Sequence, residues 1–135
     1  MAIFQNSQQL IDVLGGFFNE LGQDAQIGPK LLASKLKLRF NYTDPQAVLF
    51  VDLSGGQIVI QPGSPNQPAA DVEMSMKADT AHKFWQGNVN LVIALARREI
   101  TAKGPIPKIL KLLPIIKPAY EIYPKYLEKI GFGEK

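Results

Sequence analysis

The sequence predicts an α+β domain built on a single five-stranded, mostly antiparallel sheet that helices cover. Three observations predict this class. Five segments carry strand signals, helical periodicity occurs both before and after them, and no strand–helix–strand repeat connects them. With 135 residues, of which 46% are hydrophobic and 20% charged, the chain can bury one core but not two. Residues 1–135 are therefore expected to form one domain.

The N-terminal segment predicts a helix over residues 8 to about 21, with Ser7 as its N-cap. Its apolar residues recur at spacings of three and four, which places them on one face. Gly15 and Gly16 interrupt this segment, and each costs about 1 kcal/mol in a helix interior relative to alanine. We therefore expect the two glycines to pack closely against a neighbouring element.

The next part of the chain predicts three consecutive strands. Apolar and polar residues alternate over residues 35–42, which indicates a strand with one wet face. Apolar residues lie on both sides of a second strand at 46–53, and residues 54–56 form a tight hairpin to a third strand at 57–61. These strands are expected to form an antiparallel meander, followed by an exposed proline-rich loop over 61–69.

The middle of the chain predicts a strand, two short helices and a last strand. Alternation over residues 72–77 gives one buried face, and Asp79 is expected to cap a helix over 80–86. Residues 91–96 are apolar almost all round, which is not expected of a surface helix, so this helix is predicted to pack against another element or to line a space. Alternation over 99–103 predicts the fifth strand.

The C-terminal segment, residues 106–130, predicts a broad amphipathic wall. Its apolar residues form two adjacent stripes at spacings of three and four. Pro114, Pro118 and Pro124 would each break or kink a continuous helix. We therefore expect short helical pieces joined by kinks, which would allow the wall to move.

Three stretches, and the order of elements around them, resemble a known family. The stretches are ADVEMSM, HKFWQG and ALARREITAKG, and an apolar run follows the last of them. Together they are similar to the sterol carrier protein 2 (SCP2) family of lipid-binding domains. The resemblance implies helices over one sheet face and an apolar tunnel between the two layers. It also implies non-catalytic binding and transfer of a hydrophobic lipid of fatty acyl, isoprenoid or sterol-like type.

On this interpretation, the lipid contacts apolar residues on the inward stripes of facing elements. The predicted lining consists of Phe40, Met74, Met76, Phe84, Trp85, Leu91, Leu95, Leu113, Ile116 and Tyr120. The alternative is an interaction module, in which the same stripes pack on themselves or on a partner protein and leave no cavity. Some family members look like such scaffolds, for enzymes of lipid or quinone metabolism. Periodicity does not separate the two, because a residue facing a ligand and one facing a neighbour have the same spacing.

Positive charge is concentrated at the C-terminal end. Residues 103–135 hold seven lysines and three glutamates. A solvated helix face explains this pattern most simply, and the alternative is transient docking on an anionic membrane. The residues of that membrane contact would be Lys108, Lys111, Lys125 and Lys129. Nucleic acid is not an expected partner, because stacking aromatic residues do not alternate with the basic ones. The sequence identifies no protein partner.

No motif indicates catalysis, a metal site or a cofactor, so we expect a protein that is not an enzyme. The chain lacks cysteine, and its single histidine, His82, is expected to be solvated and structural. Surface ion pairs are expected among Asp71, Glu73 and the arginines Arg97 and Arg98. The alternative for these arginines is recognition of a lipid head group.

Targeting and membrane-spanning signals are also missing from the sequence. The first residues contain no basic region before an apolar run. The apolar runs end well before the ~20 residues that span a bilayer. We therefore expect a cytoplasmic protein.

Overall fold

The computed structural model describes residues 3–63 and 69–132. Residues 64–68, in the predicted proline-rich loop, lie outside the described residues. Within the described ranges the chain forms six helices and five strands. In chain order they are α1 (Ser7–Gln23), α2 (Ile27–Ala33), β1 (Lys37–Thr43), β2 (Ala47–Asp52), β3 (Val59–Pro62), β4 (Val72–Lys77), α3 (Ala78–Trp85), α4 (Leu91–Ala96), β5 (Ile100–Lys103), α5 (Ile106–Ile116) and α6 (Ala119–Ile130).

The strands form one sheet in the order β3-β2-β1-β4-β5. β1 pairs with β2, β2 with β3 and β4 with β5 in antiparallel orientation, whereas β1 and β4 are parallel. The predicted α+β class and the mostly antiparallel sheet are therefore confirmed. The single parallel pair arises because the chain leaves the sheet after β3 and returns beside β1.

Alternation along the strands gives the sheet one apolar face and one mixed face. On the apolar face Leu38 lies opposite Val51 on one side and Val72 on the other. All three are buried, and side chains of α1, α3, α4 and α5 cover this face. The core therefore lies between the sheet and the helices.

On the mixed face, β1 is less exposed to solvent than its sequence predicted. Arg39 is only 7% exposed, and its Nε donates a hydrogen bond to Glu73 Oε2 at 3.1 Å across the β1–β4 pair. Asn41 donates to the same oxygen at 2.8 Å. Hydrogen bonds from Asn41 and Arg39 hold the pKa of Glu73 below its usual value. Alternation identifies this face, but it does not reveal that charge pairing allows an arginine to be buried there.

The N-terminus of α1 differs slightly from the prediction, because its N-cap is Asn6 and not Ser7. The Asn6 side chain accepts a hydrogen bond from the Gln9 amide at 2.8 Å. Close packing at Gly16 is confirmed, since a Cβ there would collide with the Tyr126 hydroxyl. The missing side chain of Gly16 thus allows α6 to approach α1.

For the short helices, the predicted N-cap of α3 is wrong, whereas α4 packs against the core as predicted but also lies at the surface. α3 begins one residue before Asp79, and its N-cap is Lys77. Asp79 instead accepts a hydrogen bond from the Ile3 amide at 3.0 Å. α4 is buried on one side only, because Val92 and Ile93 are 58% and 50% exposed. A helix that is apolar all round can therefore keep one apolar face in solvent, which its composition alone does not reveal.

The C-terminal wall consists of two helices, so the predicted break occurs at Pro118 but not at Pro114 or Pro124. α5 contains Pro114 and α6 contains Pro124, whereas Pro118 lies at a helix boundary as the N-cap of α6. Near the two internal prolines, Ile116 and Tyr123 are buried and hold their turns against the core. Tertiary packing therefore outweighs the backbone hydrogen bond that each internal proline removes.

Candidate functional site

A cavity of about 80 Å³ lies between the apolar face of the sheet and the helices. Leu38, Phe40 and Met74 form part of its floor, and helical side chains form the walls and roof. Among the described residues that line it, every side chain is aliphatic, aromatic or a thioether, and none is charged. The site therefore suits an apolar molecule that is recognised by burial and shape.

Eight of the ten predicted lining residues lie on this cavity. They are Phe40, Met74, Met76, Phe84, Trp85, Leu91, Leu113 and Ile116. Leu95 is absent from the lining because it lies one helical turn beyond Leu91, toward β5. Tyr120 is absent because it belongs to α6, where the chain has turned away from α5. Its ring packs edge-on against Phe84, with centroids 5.8 Å apart.

The contributions of α1 and β2 to the lining were not predicted. Phe18 of α1 and Val51 of β2 lie on the cavity, as do Leu38 and Tyr42 of β1. Leu38 and Tyr42 flank Phe40 on the same face of β1. The alternation of apolar and polar residues along β1 could therefore have identified them as lining residues. No local signal marks Phe18, because the face of α1 that meets the sheet depends on how distant segments pack.

Aromatic side chains form one wall of the cavity. Phe18 stacks on Phe40 with ring centroids 5.1 Å apart. Trp85 packs edge-on against Phe17 and Phe84, at centroid distances of 5.1 and 5.0 Å. Trp85 is 6% exposed and is the single tryptophan of the chain. Its fluorescence therefore reports on this wall.

The cavity is too small for a lipid chain in the conformation described. Its volume of about 80 Å³ is smaller than the ~150 Å³ cavity that holds one benzene molecule. It is also well below the roughly 300 to 1,000 Å³ of common ligand pockets. The tunnel implied by the family resemblance is therefore not shown in the described residues. Entry of a lipid requires lining side chains or helices to move.

His82 is buried, which contradicts its predicted solvated position. The side chain is 4% exposed, and its Nδ1 lies 2.8 Å from the Tyr123 hydroxyl. Phe4 packs edge-on against the imidazole, with ring centroids 6.0 Å apart. The reason is helical geometry: Ala78 and His82 are four residues apart on the buried side of α3, which contacts α6. His82 therefore links two helices, and it does not line the cavity.

The four lysines of the predicted membrane contact are all exposed. Lys108 and Lys111 lie on α5, whereas Lys125 and Lys129 lie on α6. Lys129 Nζ forms an ion pair with Glu20 of α1 at 2.9 Å. The set is therefore divided between two helices, and one of its members already has an anionic partner.

The predicted ion pairs of Arg97 and Arg98 are wrong. Glu73 pairs with Arg39 instead, and Asp71 accepts a hydrogen bond from the first residue of β1 at 2.9 Å. Arg97 and Arg98 follow α4 and are exposed, and neither forms an ion pair within the described ranges. Strand register places Glu73 beside Arg39, and local sequence does not contain that information.

In the part of the chain that the structure describes, no helix combines the length and the hydrophobicity that a membrane span requires. The same part contains no group of three or more histidine, aspartate or glutamate residues placed to hold a metal ion.

Solved structures share this architecture. Apo sterol carrier protein 2 from Yarrowia lipolytica superposes with a TM-score of 0.63 at 20% identity, over 89% of this chain and 95% of that chain. The UbiJ-SCP2 ubiquinone synthesis protein gives a TM-score of 0.62 at 15% identity, over 81% of this chain and 96% of that chain. Palmitated SCP2L2 from Aedes aegypti gives 0.59 at 17% identity, over 78% and 92%. At these identities the similarity establishes the fold.

The sequence also matches a family. A search of curated proteins found no match. The sequence model of the SCP-2 sterol transfer family, in contrast, matches residues 18–117, which include all the described residues that line the cavity. Because this match spans most of the chain and the fold agrees with it, the chain belongs to the SCP-2 sterol transfer family.

Proposed function

We propose that the protein binds a hydrophobic lipid in the cavity between sheet and helices and transfers it, without catalysing a reaction. The observation that carries this proposal is the lining, which has no charged side chain among the described residues. Burial of about fifteen methylenes yields on the order of 12 kcal/mol, at ~0.8 kcal/mol per methylene. That is enough for micromolar or tighter binding after the costs of association.

The family relationship supports the same function. Two solved structures from Aedes aegypti, palmitated SCP2L2 and sterol carrier protein 2 in complex with a C16 fatty acid, support a fold that can hold a chain of sixteen carbons. In the present chain a fatty acyl, isoprenoid or sterol-like molecule is the proposed class of ligand.

Binding requires the cavity of about 80 Å³ to expand. Met74 and Met76 line its floor, and each methionine has three rotatable bonds beyond the backbone. They can therefore adopt other rotamers at low cost, and movement of α4 or α5 would widen the space further. We expect the bound state to differ from the described one mainly at these positions.

Native mass spectrometry of freshly purified protein, combined with organic extraction, tests the proposal. A lipid that remains bound through purification is the expected result. Titration with a brominated fatty acid should then quench Trp85, because bromine would reach the aromatic wall. A protein that carries no lipid and shows no quenching at micromolar fatty acid would contradict the proposal.

A matched pair of variants makes the test specific for the cavity. Ala81 lines the cavity, whereas Ala33 at the end of α2 is exposed. Ala81→Leu places three more carbons in the cavity, so it should weaken fatty acid binding at least tenfold while the fold is kept. Ala33→Leu makes the same chemical change on the surface and should leave binding unchanged. Equal affinities of the two variants for fatty acid would show that the lipid does not bind in this cavity.

A second candidate is an interaction module without a ligand of its own. The small cavity volume favours it, because side chains already fill most of the space between the layers. A ubiquinone synthesis protein with the same fold is consistent with such a module. Absence of any bound lipid, together with unchanged behaviour of Ala81→Leu, would favour this candidate over the carrier.

A further inference from the structure

α4 exposes apolar side chains that no described element covers. Leu91 and Ala94 are 5% and 1% exposed and hold the helix on the protein. On the opposite side Val92 and Ile93 are 58% and 50% exposed, the highest values among the large hydrophobic side chains of the described residues. Ala96, four residues after Val92, is exposed on the same side. The outer face of α4 is therefore an apolar ridge, formed by Val92, Ile93 and Ala96.

Two arginines stand at the end of this ridge. Arg97 follows Ile93 by four residues, so it lies on the same side of the helix. Arg98 adopts the left-handed conformation, with φ 61°, and turns the chain toward β5. Glu99, which directly follows Arg98, is the only carboxylate among residues 91–99. The ridge and its end are therefore apolar and net positive.

The same helix also borders the cavity. Leu91 lies on the cavity lining, one residue before the exposed Val92. A force on the outer face of this six-residue helix is thus applied directly to one wall of the cavity. Contact of another surface with the outer face of α4 and opening of the cavity would therefore involve the same helix.

We propose that the outer face of α4 docks on an anionic lipid bilayer, with Val92, Ile93 and Ala96 inserted at the level of the head groups and Arg97 and Arg98 bound to lipid phosphates. Apolar side chains beside basic ones are the composition that partitions into such an interface. Guanidinium groups bind phosphate oxygens through two parallel hydrogen bonds. The inference rests on the proposed function, since it gives the lipid a route between the cavity and the bilayer.

The shape of the ridge favours a bilayer over a protein partner. A stable protein interface buries about 800 Å² on each partner. Two large side chains and one alanine on a convex helix of six residues supply far less than that. A bilayer needs no complementary groove, because its head-group region deforms around an inserted side chain.

The tail lysines lack this combination. Lys129 is paired with Glu20, and the exposed large apolar side chains of α5 and α6 are Ile106 at 37% and Ile130 at 43%. No two large apolar side chains as exposed as Val92 and Ile93 stand next to these lysines in the described residues. We therefore assign insertion to α4, and the lysines serve as a comparison set.

Vesicle flotation tests the proposal with the full chain. Wild-type protein should float with phosphatidylcholine–phosphatidylserine vesicles and much less with pure phosphatidylcholine, and high salt should reduce the difference. Val92→Ser/Ile93→Ser should weaken binding about tenfold or more on both vesicle types. Arg97→Gln/Arg98→Gln should weaken it by about fivefold per charge, on the anionic vesicles alone.

Two control variants make the assignment specific. Val59→Ser changes an apolar residue that is 47% exposed on β3, far from α4 in the sheet order, and should float like wild type. The fourfold lysine-to-glutamine variant (K108Q/K111Q/K125Q/K129Q) should lose less flotation than the double arginine variant. The proposal is overturned if the lysine variant loses more, or if the α4 variants float like wild type. It is equally overturned if wild-type protein does not float and instead forms dimers or captures a protein.

Failure of this inference can be told apart from failure of the proposed function. Val92 and Ile93 do not line the cavity, so the serine variant should still bind fatty acid in solution. A protein that binds fatty acid but does not float refutes docking alone. A protein that floats but binds no fatty acid refutes the carrier function alone.

Discussion

His82 and Tyr123 form a hydrogen-bonded pair where α3 meets α6. His82 is 4% exposed and Tyr123 is fully buried at 0%. Water does not readily replace a lost partner at such a position, so removal of one side chain leaves the other with an unmet hydrogen bond. At the residue scale this pair therefore contributes to stability and not to the chemistry of the cavity.

Replacement of His82 with alanine is expected to lower the free energy of unfolding by about 2 to 4 kcal/mol, because it creates a void and removes a partner of the Tyr123 hydroxyl. Urea unfolding followed by circular dichroism measures this change. Tyr123→Phe removes only the hydroxyl and should cost about 1 to 2 kcal/mol. A loss below about 0.5 kcal/mol for His82→Ala, typical of a surface substitution, would contradict the buried position.

Two buried tyrosines make stability depend on pH in the alkaline range. Burial raises the pKa of Tyr42 and of Tyr123 above the ordinary value of 10.0. The unfolded chain therefore loses these protons at a lower pH than the folded chain. The resulting stabilisation is complete below pH 10 and is lost progressively as the pH rises toward the folded-state values.

We expect the free energy of unfolding to fall steadily above about pH 10, measured by urea unfolding at a series of pH values. Tyr42→Phe should make the decline shallower, since phenylalanine has no proton to lose. Tyr120 is half-buried, so Tyr120→Phe should change the slope less and serves as the control. An unchanged slope in Tyr42→Phe would show that other groups cause the decline.

At the scale of a single element, α4 ends in an unusual way. The Arg98 amide donates to the Leu95 carbonyl at 3.2 Å, and the Glu99 amide donates to the Ala94 carbonyl at 2.9 Å. This pair of bonds defines a helix end whose left-handed residue is usually glycine. Here the residue is Arg98, with φ 61°. A Cβ in that conformation costs roughly 1 to 2 kcal/mol, so the arginine is present at the expense of stability.

Arg98→Gly is therefore expected to raise the free energy of unfolding by about 0.5 to 1 kcal/mol, which thermal and urea unfolding would detect. Arg97 has an ordinary right-handed conformation, so Arg97→Gly removes the same charge without relief of strain and should not stabilise the protein. If Arg98→Gly is neutral or destabilising, the side chain makes contacts that compensate for its backbone. The stabilised variant should also bind anionic vesicles less tightly, as expected if Arg98 serves docking.

At the scale of the whole molecule, the cavity links ligand binding to stability. The helices and the sheet meet around a space of about 80 Å³, which leaves lining side chains without some of their packing partners. A lipid that fills an expanded form of this space would restore those contacts. Because the unfolded chain has no such site, binding adds to the stability of the folded state.

Fatty acid at one hundred times its dissociation constant is expected to raise the free energy of unfolding by about 2.7 kcal/mol. Differential scanning calorimetry with and without palmitate measures the corresponding rise in Tm. Ala81→Leu should be as stable as wild type without palmitate, because leucine fills the void. At the same palmitate concentration its tenfold or greater loss of affinity should limit the gain to about 1.4 kcal/mol or less. A palmitate effect of equal size in both proteins would indicate binding at the surface.

Much of this architecture was present in the sequence because it depends on local periodicity. The period of two in β1 and β4 predicted which face of each strand is apolar, and the resemblance of ADVEMSM, HKFWQG and ALARREITAKG predicted the family. Eight predicted residues, among them Met74, Trp85 and Ile116, reach the cavity for this reason. Each lies on an inward stripe of an element that faces the sheet or belongs to it.

Other features were decided only when distant segments packed together. The burial of His82 depends on α6, that of Arg39 on Glu73 of β4, and the continuation of α5 through Pro114 on contacts with the core. The cavity volume was also decided by tertiary packing, because the gap between two apolar faces depends on how the side chains between them interdigitate. Periodicity states which side of an element is apolar, whereas the distance to the element opposite, and hence the room for a ligand, is a property of the assembled molecule alone.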